Sequence, residues 1–71
     1  MKYMVVVEHG ASSFGAYVPD LPGCVAVGDT RDEVLSLIKE AVELHIQAMQ
    51  EAGEHVPSPT SDVAFVDVHA A

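Results

Sequence analysis

The sequence predicts an α+β domain of order β-β-β-α-β: an antiparallel three-stranded meander, one long helix on one sheet face, and a final strand after the helical crossover. Short β-branched and aromatic runs recur at residues 2–8, 14–18 and 24–27, separated by Gly, Ser, Asp and Pro. A helical pattern then opens on a capping sequence near residue 30 and closes at a glycine near residue 53. After two prolines the strand pattern returns at residues 62–69.

The first two runs, KYMVVVE and FGAYV, read as a hairpin joined by residues 9–13. Pro19, Asp20, Leu21, Pro22 and Gly23 follow. Two residues without an N–H and a glycine that tolerates positive φ predict a tight, stiff turn. Cys24 opens the third strand, and Gly28 and Asp29 carry the chain from strand to helix. Thr30-Arg31-Asp32-Glu33 has capping-box spacing, with Thr30 as N-cap and Glu33 reaching back to it. Asp32 and Glu33 also meet the positive end of the helix dipole.

The helix is predicted over residues 31–52, with Gly53 just past its end and Pro57 and Pro59 preventing continuation. At 100° per residue, Ser36, Lys39, Glu40, Glu43, Gln47, Gln50 and Glu51 form one polar arc. The apolar remainder spans roughly 200°, wider than the stripe of about 100° that seats a helix on one sheet. Such a helix is either deeply embedded or meets another chain along its flank. A right-handed crossover places the last strand parallel beside the first. The other sheet face is then bare, which points to dimerisation.

A chain of 71 residues makes one domain with a thin core, burying only about 60% of its unfolded surface. Its stability is expected to be shared with a partner or a second copy. Apolar residues make up 49% and charged residues 20%, which excludes the disordered class. Eleven acidic residues face only Lys2, Arg31 and Lys39, for a net charge of −8. That balance argues against direct nucleic-acid binding, which rests on cations meeting phosphates. It suits steering toward a basic protein, and equally the solubility of a small domain. One cysteine, Cys24, allows no internal disulfide. The apolar start turns polar at once, so neither a signal peptide nor a membrane span is expected, and the protein is read as cytoplasmic.

Chemistry-bearing residues form no constellation. His9, His55 and His69 lack metal-ligand spacing, so no metal or cofactor is expected. His45 falls near the middle of the apolar arc and reads as a neutral core or dimer-interface histidine bonded to a backbone carbonyl, with a metal or catalytic role as the alternative. Cys24 reads as a small core hydrophobe. A carboxylate-bound Mg²⁺ nuclease would need Glu8, Glu40, Glu43 and Asp67 to converge, yet the helical pair points to water. No enzyme is expected.

The string Tyr17-Val18-Pro19-Asp20-Leu21-Pro22-Gly23-Cys24, then Gly28-Asp29-Thr30 and Asp32-Glu33, then the stretch at residues 53–57, resembles the HicB-like antitoxin family over nearly the whole chain. The resemblance implies a β-β-β-α-β fold regarded as a reduced RNase H-like core. It also implies homodimers or higher homo-oligomers, and neutralisation of a small basic HicA toxin. That toxin resembles a double-stranded-RNA-binding domain and cleaves messenger RNA with a histidine. Many family members add a C-terminal DNA-binding segment. The sequence to Ala71 shows none, so residues 1–71 are expected to be a single HicB-like domain. The expected function is binding and occluding such a toxin, through Asp20 and Leu21 on the turn and Glu40, Glu43 and Glu51 on the helix. The alternative is an orphan oligomeric scaffold or interaction module without a toxin. Pro19, Pro22, Gly23, Gly28, Asp29, Thr30 and Glu33 are read as specifying the fold.

Overall fold

A computed structural model describes residues 1–70. Strands β1 (Val6–His9), β2 (Phe14–Tyr17) and β3 (Val25–Gly28) form an antiparallel sheet in the order β1-β2-β3, and helix α1 (Arg31–Glu51) follows. Register places Val7 opposite Ala16 and Ala16 opposite Ala26; this row packs into the core. The neighbouring row, Val6, Tyr17 and Val25, points the other way, because successive strand side chains alternate faces. At the hairpin end His9 stacks on Phe14 with ring centroids 4.2 Å apart.

β1 begins at Val6, later than the sequence pattern suggests. Tyr17 is the partner of Val6 and the last residue of β2, so residues 2–5 have no neighbouring strand to pair with. β3 likewise starts one residue late, because the Cys24 N–H is taken by the carbonyl of Leu21 at 3.1 Å.

The turn between β2 and β3 folds inward. Leu21 N–H donates to Val18 O at 3.1 Å, and Val18 N–H donates to Cys24 O at 3.2 Å across its base. Val18, Leu21 and Cys24 therefore share one side and are buried, while Pro22 and Gly23 face water. Leu21 was expected as a partner contact on the turn surface, but it is only 1% exposed. A side chain spent on the core has no surface to offer, and Leu21 is corrected to a core residue. The core comprises Ala16, Val18, Leu21, Cys24, Val34 and Ile38.

Both helix ends lie where the sequence places them, but of the expected capping box only the Thr30 half forms, with no bond from Thr30 N–H to the Glu33 carboxylate. Thr30 has extended dihedrals, and its Oγ1 accepts a hydrogen bond from Glu33 N–H at 3.1 Å. At the C-terminus Glu54 N–H donates to Met49 O at 2.8 Å and Gly53 N–H to Gln50 O at 3.1 Å, a Schellman closure. Gly53 sits at φ +72°, which explains why glycine occupies that place. Gly28 serves a different need: a Cβ there would lie 3.0 Å from Val34 N and 3.2 Å from Val34 Cα, so β3 runs hard against the first helical turn.

The wide apolar arc of α1 divides in two. Val34 and Ile38 are buried, with Ala41, Val42 and Ile46 packed beside them, while Leu37 and Leu44 are exposed. The helix is therefore not deeply embedded.

No fourth strand forms among the described residues; positions 54–70 carry no helix, strand or turn. The connector is fastened where Tyr3 Oη–H donates to Pro57 O, and at Thr60 and Ser61 by Asp20. Beyond Ser61 the chain passes Met4 to Val7 across a cleft of about 470 Å³ and makes no ladder with β1. The expected strand at 62–69 thus has its sequence pattern but lacks a bonded neighbour within this chain.

Candidate functional site

Leu37, Glu40, Leu44, Gln47 and Glu51 are spaced alternately three and four residues apart and form one line along α1. At 1.5 Å per residue the line is about 21 Å long. All five are exposed, Leu37 at 38% and Leu44 at 61%. Glu43, also exposed, lies off this line, on the flank that faces Tyr3 and Val5 and one turn from Lys39. Gln47 Nε2 donates to Glu51 Oε1 at 3.2 Å, which orients the last carboxylate. Of the three cations, Lys39 lies on the flank toward Tyr3 and Val5, Arg31 opens the helix, and Lys2 is near the N-terminus. The line itself carries none. Two leucines rimmed by carboxylates suit a basic surface with apolar spots, since complementary charge speeds association and apolar contact holds the complex.

Asp20, the other expected partner contact, is engaged inside the chain. Its Oδ2 accepts from Thr60 N–H at 3.0 Å and Ser61 N–H at 2.9 Å, and its Oδ1 interacts with Thr60 Oγ1 at 3.2 Å and Ser61 Oγ at 2.7 Å. Hydrogen bonds from Ser61, then from Thr60, hold its carboxyl below the usual carboxylate range. A lowered carboxyl stabilises the folded chain fully above its unfolded pKa of about 3.9, and this contribution fades as pH falls through the lower folded value. Asp20→Ala at neutral pH, and acidification of the unaltered protein through its lowered folded value, beneath the ordinary carboxylate value of about 3.9, are therefore expected to expose the Thr60 and Ser61 amides. Hydrogen exchange by NMR, corrected for intrinsic rates, checks this; unchanged protection at both amides would show the clamp to be idle.

The remaining residues do not assemble. His45 is half-buried in a shallow cleft with Pro22 and Met49, away from the core centre at Val34 and Ile38. Burial pushes the Cys24 thiol up, so it stays protonated at neutral pH. Glu8 lies in β1, Glu40 and Glu43 on α1, and Asp67 in the C-terminal segment. Among the described residues no group of three or more His, Cys, Asp or Glu is placed to hold a metal ion. Nor is any helix among them long and apolar enough to cross a membrane.

Sequence reasoning missed Thr60 and Ser61 as the partners of Asp20, since nothing in local spacing links residues 40 apart. It also placed Leu37 and Leu44 in one continuous apolar arc with the core. Their separation of seven residues, offset from Val34 and Ile38, was the signal available.

Residues 3–69 match the family described as HicB_like antitoxin of bacterial toxin-antitoxin system. The chain is 34% identical to Antitoxin HicB 2 of Photorhabdus laumondii, covering 99% of this chain and 51% of that one. It is also 34% identical to a UPF0150 protein of Thermoplasma acidophilum, covering 99% and 100%. A chain of the HicA3 and HicB3 toxin-antitoxin complex superposes with a TM-score of 0.67 at 31% identity, covering 83% of this chain and 72% of its own. The chain spans about half the length of some curated relatives, 51% of the Photorhabdus antitoxin and 43% of a protein from Haemophilus phage HP1. With the three-stranded meander, the capped helix and the P-D-L-P-G-C turn all in place, the chain belongs to the HicB-like antitoxin family.

Proposed function

We infer that this chain is an antitoxin that binds a small basic HicA-like, mRNA-cleaving toxin and covers its RNA-binding surface with the outer face of α1. The observation that carries this reading is the line on which Leu37 and Leu44 stand exposed between Glu40 and Glu51, with Glu43 on its flank. Membership of an antitoxin family and the fold shared with a chain of a toxin-antitoxin complex support it. The chain supplies contact and charge but no reacting group. Carboxylates stand where RNA phosphates would otherwise sit, and the leucines exclude water at the centre of the contact. Asp20 has no part in this contact; it serves the chain's own connector. Self-association without a toxin is the second reading, favoured by the apolar residues left exposed after Ser61.

The test is a co-expression pull-down with any small basic protein encoded beside this chain, followed by binding measurements across salt concentration. Glu40→Lys combined with Glu43→Lys is expected to weaken binding by about 10- to 100-fold at low salt, with a smaller effect at high salt. Both positions are exposed, so the circular dichroism spectrum stays unchanged. Failure of the unaltered chain to bind at low salt, or equal binding by the charge-reversed chain, would reject the proposal.

A further inference from the structure

We propose that the partner meets α1 with a helix of its own, laid along the seam Leu37, Ala41, Leu44 and Ala48, with lysine or arginine on the margin that faces Glu40 and Glu51. This rests on the reading of the outer face of α1 as the toxin-binding surface, and it names the kind of element that covers that face.

The four seam residues are spaced four, three and four apart, and they alternate large and small. Leu37, Leu44 and Ala48 are exposed and Ala41 is half-buried, so each leucine stands out and each alanine leaves a hollow. The pattern repeats every seven residues, about 10 Å along the axis. A helix with apolar residues at the same alternate spacing repeats at the same length, and its side chains enter the hollows in register. A strand repeats about every 7 Å on one face and falls out of step. Alanine on the floor of each hollow lets the two axes approach to about 8 Å, the near end of the range for packed helices.

The surroundings of the seam leave room for such a helix. Ala48 also lines the shallow cleft of about 470 Å³ that Pro22, His45, Met49 and Glu54 enclose, so its hollow continues into space that a partner side chain can fill. The opposite flank of α1 meets Tyr3 and Val5, which puts the seam on the β3 side. There the sheet ends, and no further strand bars the approach.

Charge selects the partner. Glu40, Gln47 and Glu51 form the outer margin of the seam, and Glu33, exposed one turn before Leu37, extends it. Between residues 37 and 51 the sole cation is Lys39, which lies on the opposite flank. A second copy of α1 packed antiparallel on this seam would set the acidic margins against each other. A helix with a basic margin meets them with opposite charge, and such flanking pairs decide which helices associate.

The test is an NMR titration of the isotope-labelled full chain with a synthetic helical peptide as long as α1, carrying Leu and Ala at the seam spacing and Lys along one margin. One control peptide has Glu in place of Lys, and another has the same composition in scrambled order. Saturable binding below ~1 mM is expected for the lysine peptide alone, with shifts centred on Leu37, Ala41, Leu44 and Ala48. Leu44→Ala is expected to weaken it about 10-fold. Ala48→Leu is expected to weaken it about 10-fold as well, although it adds apolar surface, because leucine closes the hollow. Both positions are exposed, so the shifts of β1–β3 stay in place in both variants. No binding of the lysine peptide, equal binding of the scrambled one, shifts centred on Tyr3 and Val5, or tighter binding by Ala48→Leu would each overturn the proposal. The same variants enter the pull-down. A basic neighbour that binds both variants as well as the unaltered chain rejects the helical seam and leaves the toxin reading standing. Peptide binding as expected with no basic neighbour captured supports the seam and rejects the toxin reading.

Discussion

Leu21→Ala is expected to destabilise the domain by about 2–5 kcal/mol, the range for removing a buried leucine side chain whose cavity cannot collapse. Leu21 is the least exposed residue of the turn, and it is held there by hydrogen bonds on both sides of the chain: its own N–H to Val18 and its carbonyl to Cys24. That bonding prevents the turn from closing over the gap. At 0.05–0.15 kcal/mol per residue, a chain of this size has a total stability of about 4–11 kcal/mol, so the loss is a large share of the whole. Urea unfolding followed by circular dichroism measures it. A surface residue reserved for a partner would lose less than about 0.5 kcal/mol, and that result would return Leu21 to the binding surface.

Gly28→Val is expected to cost at least as much as ordinary overpacking, about 1–3 kcal/mol and more for the branched side chain. The atoms a Cβ would meet at 3.0 and 3.2 Å belong to the Val34 backbone, in the first turn of α1, and backbone cannot rotate out of the way. The helix must lift from β3 and take Val34 and Ile38, two of the most buried side chains, with it. Gly15→Ala is the matched control. It lies in β2 with nothing within 4 Å of its Cβ position, and alanine there is expected to be neutral or to stabilise by up to about 1 kcal/mol. Thermal unfolding of the two variants side by side separates a packing need at Gly28 from a general dislike of side chains at strand glycines. Equal melting temperatures would remove the close approach from the account.

The parts of the fold legible in the sequence are those set by neighbours along the chain. Thr30 and Glu33 announce the helix start, Gly53 its end, and the meander follows from short apolar runs broken by glycine and proline. The helix needs no distant information to find its limits. Legibility fails where a residue's environment is made by something far away in sequence. Leu21 lies among turn formers and reads as exposed, yet its spacing of three from Val18 and three from Cys24 puts all three on one side of a double turn. Asp20 reads as a free carboxylate because Thr60 and Ser61 are forty residues off. The candidate interface was half readable. Glu40, Glu43 and Glu51 follow from the helical wheel, while Leu37 and Leu44 were hidden by an arc that looked continuous until the narrow sheet left part of it uncovered. The final strand was read from its alternation, but alternation says nothing about whether a neighbour stands within bonding distance, and residues 62–69 have none in this chain.

The reach of the Asp20 clamp also orders events in time. Hairpin and helix contacts join residues close in sequence, whereas the clamp closes a loop of some forty residues in a chain of 71. Closure entropy grows with loop length, so the nearer contacts gather first and the clamp is among the last to shut. A newly made chain accordingly has its meander and helix before Thr60 and Ser61 are fastened to Asp20.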